Sequence, residues 1–335
     1  MKHLTILFLS LLITCWSVAD EWVSINTSAP APAEISLISS NVTSTVVSIE
    51  VSGFYTKSVI TPQGDAFIVR LDESSPILEA GSPDLPKLTT SLLIPDLANM
   101  EIEVLSKSYT DIEGYDIAPS KGNFTRDINP DEVPYVYGNV YQQDQFFPGE
   151  MCDLRTPHIV RDYRGQTVIF YPFQYNPVSK TLRVYHEMTI RIFEENKNGI
   201  NPLVRTQKLE KIDEQFSKIY SGHFLNYNNA DYTPVEEQGS MLIISYGSFM
   251  TDMQPFVEWK NTIGIPTEMV NVSTVGSTSS AIKSYIANYY NTHNLTYVLL
   301  VGDAAQVPSS YSSGDSDNDY SYIVGSDHYP DLFDG

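Results

Sequence analysis

Tyr297-Val298-Leu299-Leu300-Val301 is an unbroken apolar run that ends abruptly at Gly302-Asp303. Lack of alternation means burial on both faces, the mark of a parallel strand sandwiched between helices. Parallel neighbours need crossover connections, so the flanking sequence must supply strand–helix–strand units. It does. Residues 241–246 are a second apolar run, and Phe249, Met253, Phe256, Val257 and Lys260 follow at helical spacing before Gly264 supplies a stop. Residues 266–270 read as another strand, and 277–290 as a helix with Ile282, Tyr285, Ile286 and Tyr289 on one face. The pattern predicts the start of a doubly wound parallel sheet, with acidic Asp303 delivered to its C-terminal edge. A sheet begun this late is expected to be incomplete at Gly335, so the chain reads as the front part of a larger protein.

Residues 21–195 have a different period. Short β-rich runs at 45–51 and 66–71 are broken by Gly and Pro, and 22 Tyr, 14 Phe and 20 Pro lean the composition toward strands and turns. Runs 167–173 and 182–193, joined across 176–180, read as a hairpin. In the second arm Leu182, Val184, Met188, Ile190 and Ile192 share a face, with His186 interrupting. Repeated short strands predict a β-sandwich or barrel. Residues 195–238 are polar and Pro-containing, with room for one helix at 209–220, and a boundary is placed there. The expected segments are 1–19, 20–194, 195–238 and 239–335.

The first nineteen residues read as a secretory signal, with Lys2 and His3, an apolar core at 4–13 and Ser17-Val18-Ala19 before the cleavage point. Cys15 in a lipoprotein-like context is disfavoured by Thr14. A secreted or cell-surface location follows. The formal charge of −21 repels phosphate backbones, so no nucleic-acid partner is expected. Cleavage would leave Cys152 alone, which excludes an internal disulfide. Glu150 and Asp153 beside it raise a thiol pKa, so Cys152 is expected to be a half-buried structural thiol and not a nucleophile paired with His158. Gly-x-Ser-x-Gly and a phosphate-binding Gly-rich loop are both missing from the sequence.

Oxygen ligands are more prominent. Asp315, Asp317 and Asp319 alternate, as do Asp327, Tyr329 and Asp331, and with Asp303 they are expected to converge on one sheet edge. Hard Ca²⁺ requires such alternate oxygens, but a solvated acidic loop has the same composition, and both readings stay open on spacing alone.

Four stretches resemble the gingipain family of bacterial cysteine peptidases: 232–237 (YTPVEE), 256–261 (FVEWKN), 295–303 (LTYVLLVGD) and 322–329 (YIVGSDHY). Upstream, 119–122 (PSKG) and 146–150 (FFPGE) resemble the family's propeptide. The resemblance implies a multidomain chain: an all-β, sandwich-like propeptide, then the start of an α/β caspase-like parallel-sheet domain. It implies a precursor that cleaves polypeptide substrates, its own propeptide acting as intramolecular inhibitor and folding aid. Catalytic Cys and His would follow Gly335, leaving this stretch inert by itself, and cell-surface attachment would use regions further on. The implied processing junction is Asp231–Tyr232, although an arginine-specific enzyme would want Arg before Tyr232; cleavage after Arg205 is an alternative. Implied structural Ca²⁺ ligands are Asp303, the Val324 carbonyl, Asp327, the Tyr329 carbonyl and Asp331. Arg126, with Lys121 second, is the implied inhibitory basic residue. A sortase-like member of the family and a non-catalytic glycan- or protein-binding surface protein are the rival readings.

Overall fold

The computed structural model describes residues 20–205, 209, 211–227, 235–309 and 316–335. The expected signal segment with Cys15, the Asp231–Tyr232 junction and Asp315 lie outside the described residues.

The N-terminal part is built from antiparallel sheets. Thr181–Asn196 is the spine of one: Asn99–Glu113 pairs along one edge, and Phe173–Asn176 and Ser44–Glu50 pair along the other, with Glu34–Asn41 outermost. Leu182, Val184, Met188, Ile190 and Ile192 are buried, as their alternation requires. His186, which broke the alternation, falls at a ladder irregularity between Tyr185 and Glu187. A second sheet runs His158–Val160, Tyr163–Phe170, Pro86–Leu93 and Ser75–Pro76, with Cys152–Leu154 also on Tyr163–Phe170. A third joins Glu21–Ser24, Gly53–Thr61 and Gly64–Arg70. Val47, Leu88, Leu92, Phe170, Phe173 and Val184 meet in one core shared by the sheets.

The expected hairpin is split. Tyr163–Phe170 belongs to the second sheet, and only Phe173–Asn176 pairs with Thr181–Asn196. Pro172 is the cause: it has no N–H to continue a ladder. The Tyr171 N–H donates to the Met151 carbonyl, while the Pro172 carbonyl accepts from Tyr185. One apolar run therefore crosses from sheet to sheet.

The C-terminal unit is parallel throughout, in the order Thr267–Asn271, Ser240–Ser245, Leu295–Val301, Phe333–Asp334. Helices Met250–Thr262 and Ser279–Thr292 make the crossovers, and Ile282 and Ile286 are fully buried beneath the second. Gly264 ends the first at φ +92°, where glycine is favoured. An additional short helix, Val272–Val275, follows the Asn271 cap.

Within the stretch read as a linker, part is packed. The helix spans Glu214–His223 and not 209–220, because Asp213 caps it by accepting from the Gln215 and Phe216 N–H groups. Lys211–Asp213 instead forms a strand parallel to Val235–Glu237. Phe216, Tyr220 and Phe224 bury against Val160 and Ile212.

Candidate functional site

The two parts interlock at a tight turn. Strands His158–Val160 and Tyr163–Phe170 are joined by Arg161-Asp162, and Arg161 takes φ +48°, a left-handed conformation uncommon for arginine. Its side chain enters the C-terminal unit. Nη1 donates to the Leu295 carbonyl at 2.6 Å and to the Asp331 carbonyl at 3.2 Å; Nη2 donates to Asn294 Oδ1 at 2.8 Å. The guanidinium lies 4.9 Å from the Phe216 ring centre and 5.2 Å from that of Tyr290. Asp162, 3.7 Å from Arg161 Nε, accepts from the Tyr220 hydroxyl at 2.7 Å. Burial raises the Asp162 pKa, with Arg161 opposing.

Two carboxylates receive the turn's backbone. Asp331 is fully buried. Its Oδ1 accepts from the Arg161 N–H at 2.8 Å, and its Oδ2 from Ile323 and Val324 at 2.7 and 2.6 Å. Burial pushes its pKa up to about 6, against the pull of those three N–H groups. Asp327 Oδ2 accepts from the Ile159 N–H at 2.8 Å and from Asn201 Nδ2 at 2.5 Å, while Oδ1 accepts from Tyr329 at 2.9 Å. Asn201 Oδ1 in turn accepts from the Ser326 N–H at 2.9 Å. Gly325, at φ +80°, lets the surfaces close: a Cβ there would stand 2.8 Å from Ile159 Cδ1 and 2.9 Å from Asn201 Oδ1.

An aromatic stack completes the contact. The His158 ring lies 4.0 Å from that of Tyr329, nearly parallel, and its Nε2 is 3.1 Å from His223 Nε2. One imidazole donates and the other accepts, so the accepting ring is neutral. Burial lowers both pKa values, that of His158 to about 4, with His223 adding to the fall and Asp327 opposing it.

The expected Ca²⁺ ligands divide between two places. Val324, Asp327, Tyr329 and Asp331 share one loop, but Asp303 does not join them. The loop leads into Phe333–Asp334, which runs parallel to Leu295–Val301, so it sits at the sheet's N-terminal edge. Asp303 follows Leu295–Val301 and sits at the C-terminal edge, the seven-residue strand between them spanning roughly 20 Å. The expected convergence on one edge therefore fails, because strand direction alone separates the loops. Two carboxylates and two carbonyls supply only part of the about six to eight oxygens Ca²⁺ takes, so bidentate binding or water would have to complete the shell. Among the described residues no group of three or more acidic, His or Cys side chains is placed to hold a metal.

Other expected residues lie apart from this contact. Arg126 is exposed and forms no ion pair among the described residues. Lys121 Nζ donates to the Pro130 carbonyl at 2.8 Å and lies 4.5 Å from the Tyr135 ring centre. Cys152 is half-buried, its thiol pushed up to about 11 by burial, Glu150 and Asp153. His158 is committed to His223 and Tyr329. At the C-terminal edge a cavity of about 200 Å³ is lined by Leu300, Gly302, Ala304, Val307, Ser309 and Asp317. Sequence reading missed Arg161 and Asn201. The only signal was the charged pair Arg161-Asp162 between two short β-runs, which marks a turn and nothing more.

Comparison with known proteins gives the same two-part division. The family model Propeptide_C25 matches residues 26–234, and that of Peptidase family C25 matches residues 235–335. Gingipain R2 of Porphyromonas gingivalis (strain ATCC BAA-308 / W83) is 38% identical over 309 residues, covering 90% of this chain and 42% of its own length. Gingipain R1 of Porphyromonas gingivalis is 40% identical over 284 residues, covering 83% of this chain and 28% of its own. The chain thus spans less than half the length of these curated relatives. The solved complex of Porphyromonas gingivalis RgpB pro- and mature domains matches with TM-score 0.54 and 38% identity, over 58% of this chain and 98% of the matched one.

Proposed function

The chain belongs to peptidase family C25, and on that premise we propose that it is the front of a secreted precursor of a gingipain-like cysteine endopeptidase. Residues 20–194 act as pro-region, 195–238 connect and are processed at Asp231–Tyr232, and 239–335 begin the peptidase domain. The observation that carries this reading is the consecutive pair of family matches, propeptide then peptidase, across one interlocked fold. The nucleophilic Cys and its His base are assigned to sequence after Gly335, acting by thiolate attack on a peptide carbonyl through an acyl-enzyme. Arg126 is the proposed inhibitory residue, since its exposed guanidinium is free to enter a substrate pocket.

The test is thiol-dependent peptide hydrolysis by the complete protein, with residues 1–335 alone as control. Activity should emerge on pro-region removal and vanish on thiol alkylation, the control staying inert. Arg126→Ala should raise the activity of the unprocessed protein; unchanged latency would move inhibition to another residue. An intact, processed protein without turnover would favour a binding role.

Ca²⁺ is proposed for the loop carrying Val324, Asp327, Tyr329 and Asp331 only after the pro-region has left. While docked, Ile159 and Arg161 N–H groups occupy the carboxylates, and the Arg161 charge stands beside them. Millimolar Ca²⁺ should raise the melting temperature of the processed enzyme by a few degrees and leave the intact precursor unchanged. A shift that survives Asp327→Ala with Asp331→Ala would overturn this assignment.

A further inference from the structure

We propose that the 323–331 loop is a docking socket for the pro-region's 158–164 turn, with Arg161 as its plug, and that this contact holds the pro-region on the peptidase part after the connecting chain is cut. The inference rests on the pro-region and peptidase reading, and names the contact through which the two parts stay together.

The socket is complementary in both senses of charge. Three acceptors of the C-terminal unit, the Leu295 and Asp331 carbonyls and Asn294 Oδ1, receive the guanidinium. Two of its carboxylates receive pro-region backbone N–H groups, Ile159 to Asp327 and Arg161 to Asp331. Arg161 is 7% exposed and Asp331 0%, so these bonds are made out of water, where a missing partner is costly. Asn201 adds a two-sided contact, donating to Asp327 and accepting from Ser326. The fit is also steric, since Gly325 has no room for a Cβ against Ile159. None of these contacts depends on an unbroken chain between residues 205 and 235.

Location separates this contact from inhibition. The socket is at the N-terminal edge of the parallel sheet, whereas ligands of open α/β sheets bind at the C-terminal edge. Arg161 is therefore an anchor, and a pro-region held by it can reach the catalytic edge only with another segment. Docking and blocking become separable by mutation.

The experiment uses the complete precursor with a recognition site for a sequence-specific protease placed between residues 228 and 234. After cutting, co-elution on size exclusion and the dissociation rate of the two parts are measured. The wild-type parts should co-elute. Arg161→Met keeps the aliphatic stem but removes charge and donors, and should weaken association by about 100-fold, mostly through faster dissociation. Arg161→Lys should fall between, because an ammonium cannot reproduce the fork. Gly325→Ala probes the socket side, and should weaken association by about 10-fold should the Arg161 variants fail to fold. Unchanged dissociation in Arg161→Met, or in Gly325→Ala, would overturn the proposal. Association is read without turnover, so a protein lacking peptidase activity would sink the functional reading and leave the socket standing.

Discussion

Arg164→Met is expected to lower the unfolding free energy of the N-terminal β-part by about 4 kcal/mol or more. Arg164 is 1% exposed and forms no ion pair among the described residues. Every hydrogen bond of its guanidinium goes to a carbonyl: Nε to Asn201 at 2.8 Å, Nη1 to Pro95 and Ala98 at 2.8 Å each, and Nη2 to Ile200 at 2.6 Å. Burial lowers its pKa and Asp96 opposes that, but a guanidinium has too far to fall to lose its proton. Methionine fills much of the volume and donates nothing, leaving the Asn201, Ala98 and Ile200 carbonyls without their donor at about 1–3 kcal/mol each where water does not enter, while Pro95 keeps the Ala98 N–H. Lysine should restore less than half of the loss, since a single ammonium cannot span four acceptors arranged around a planar fork. Denaturant unfolding of the 1–335 chain gives the number, and a loss below about 1 kcal/mol would show that water replaces the guanidinium freely. Asn201 sits on the pinned segment and also holds Asp327, so the same variant should loosen docking.

The α/β half was readable because its determinants are local. Helical spacing, caps and a stop glycine lie within each segment, and the apolar runs at 241–245 and 297–301 mark central strands whatever surrounds them, although of 297–301 only Val298 is fully buried. The β-half was readable only as a class. Run 167–173 looks like one strand because every residue in it but Pro172 suits one, yet it serves two sheets, and the partners deciding this, Pro86–Leu93 and Thr181–Asn196, lie on either side in sequence. Pro172 was the available clue.

For the site, residue chemistry was legible and placement was not. Asp327, Tyr329 and Asp331 were identified as one acidic constellation, and the structure groups them. Asp303 was expected to converge with them on one sheet edge, but a loop before a parallel strand and a loop after its neighbour occupy opposite edges. The burial of the two arginines left no trace. Arg161 and Arg164 flank Asp162-Tyr163 in what reads as an exposed charged turn, and their partners are mostly backbone carbonyls, which every residue type possesses. Only a fold that brings Leu295 or Ile200 alongside reveals them.

Gly239→Ala should be the most damaging single methyl in the C-terminal unit. Gly239 joins the Val235–Glu237 strand to Ser240–Ser245, and a Cβ there would stand 1.8 Å from Thr296 Oγ1, 2.6 Å from Thr296 Cβ and 2.6 Å from Asp213 Oδ2. The Thr296 hydroxyl is fully buried and donates to Asp213 Oδ2 at 2.9 Å, while Asp213 Oδ1 caps the Glu214–His223 helix. Overpacking alone costs about 1–3 kcal/mol. Pushing Thr296 aside adds the loss of a buried hydrogen bond, and moving Asp213 adds about 1 kcal/mol for the cap. A total near 4 kcal/mol is expected, read as a fall in denaturant midpoint with the slope unchanged. Adding Thr296→Ala removes the 1.8 Å collision but not the Thr296 Cβ at 2.6 Å, so rescue should be partial. Full rescue would mean the hydroxyl collision is the whole effect, and no loss in the single variant would mean that the strand junction moves to admit a side chain.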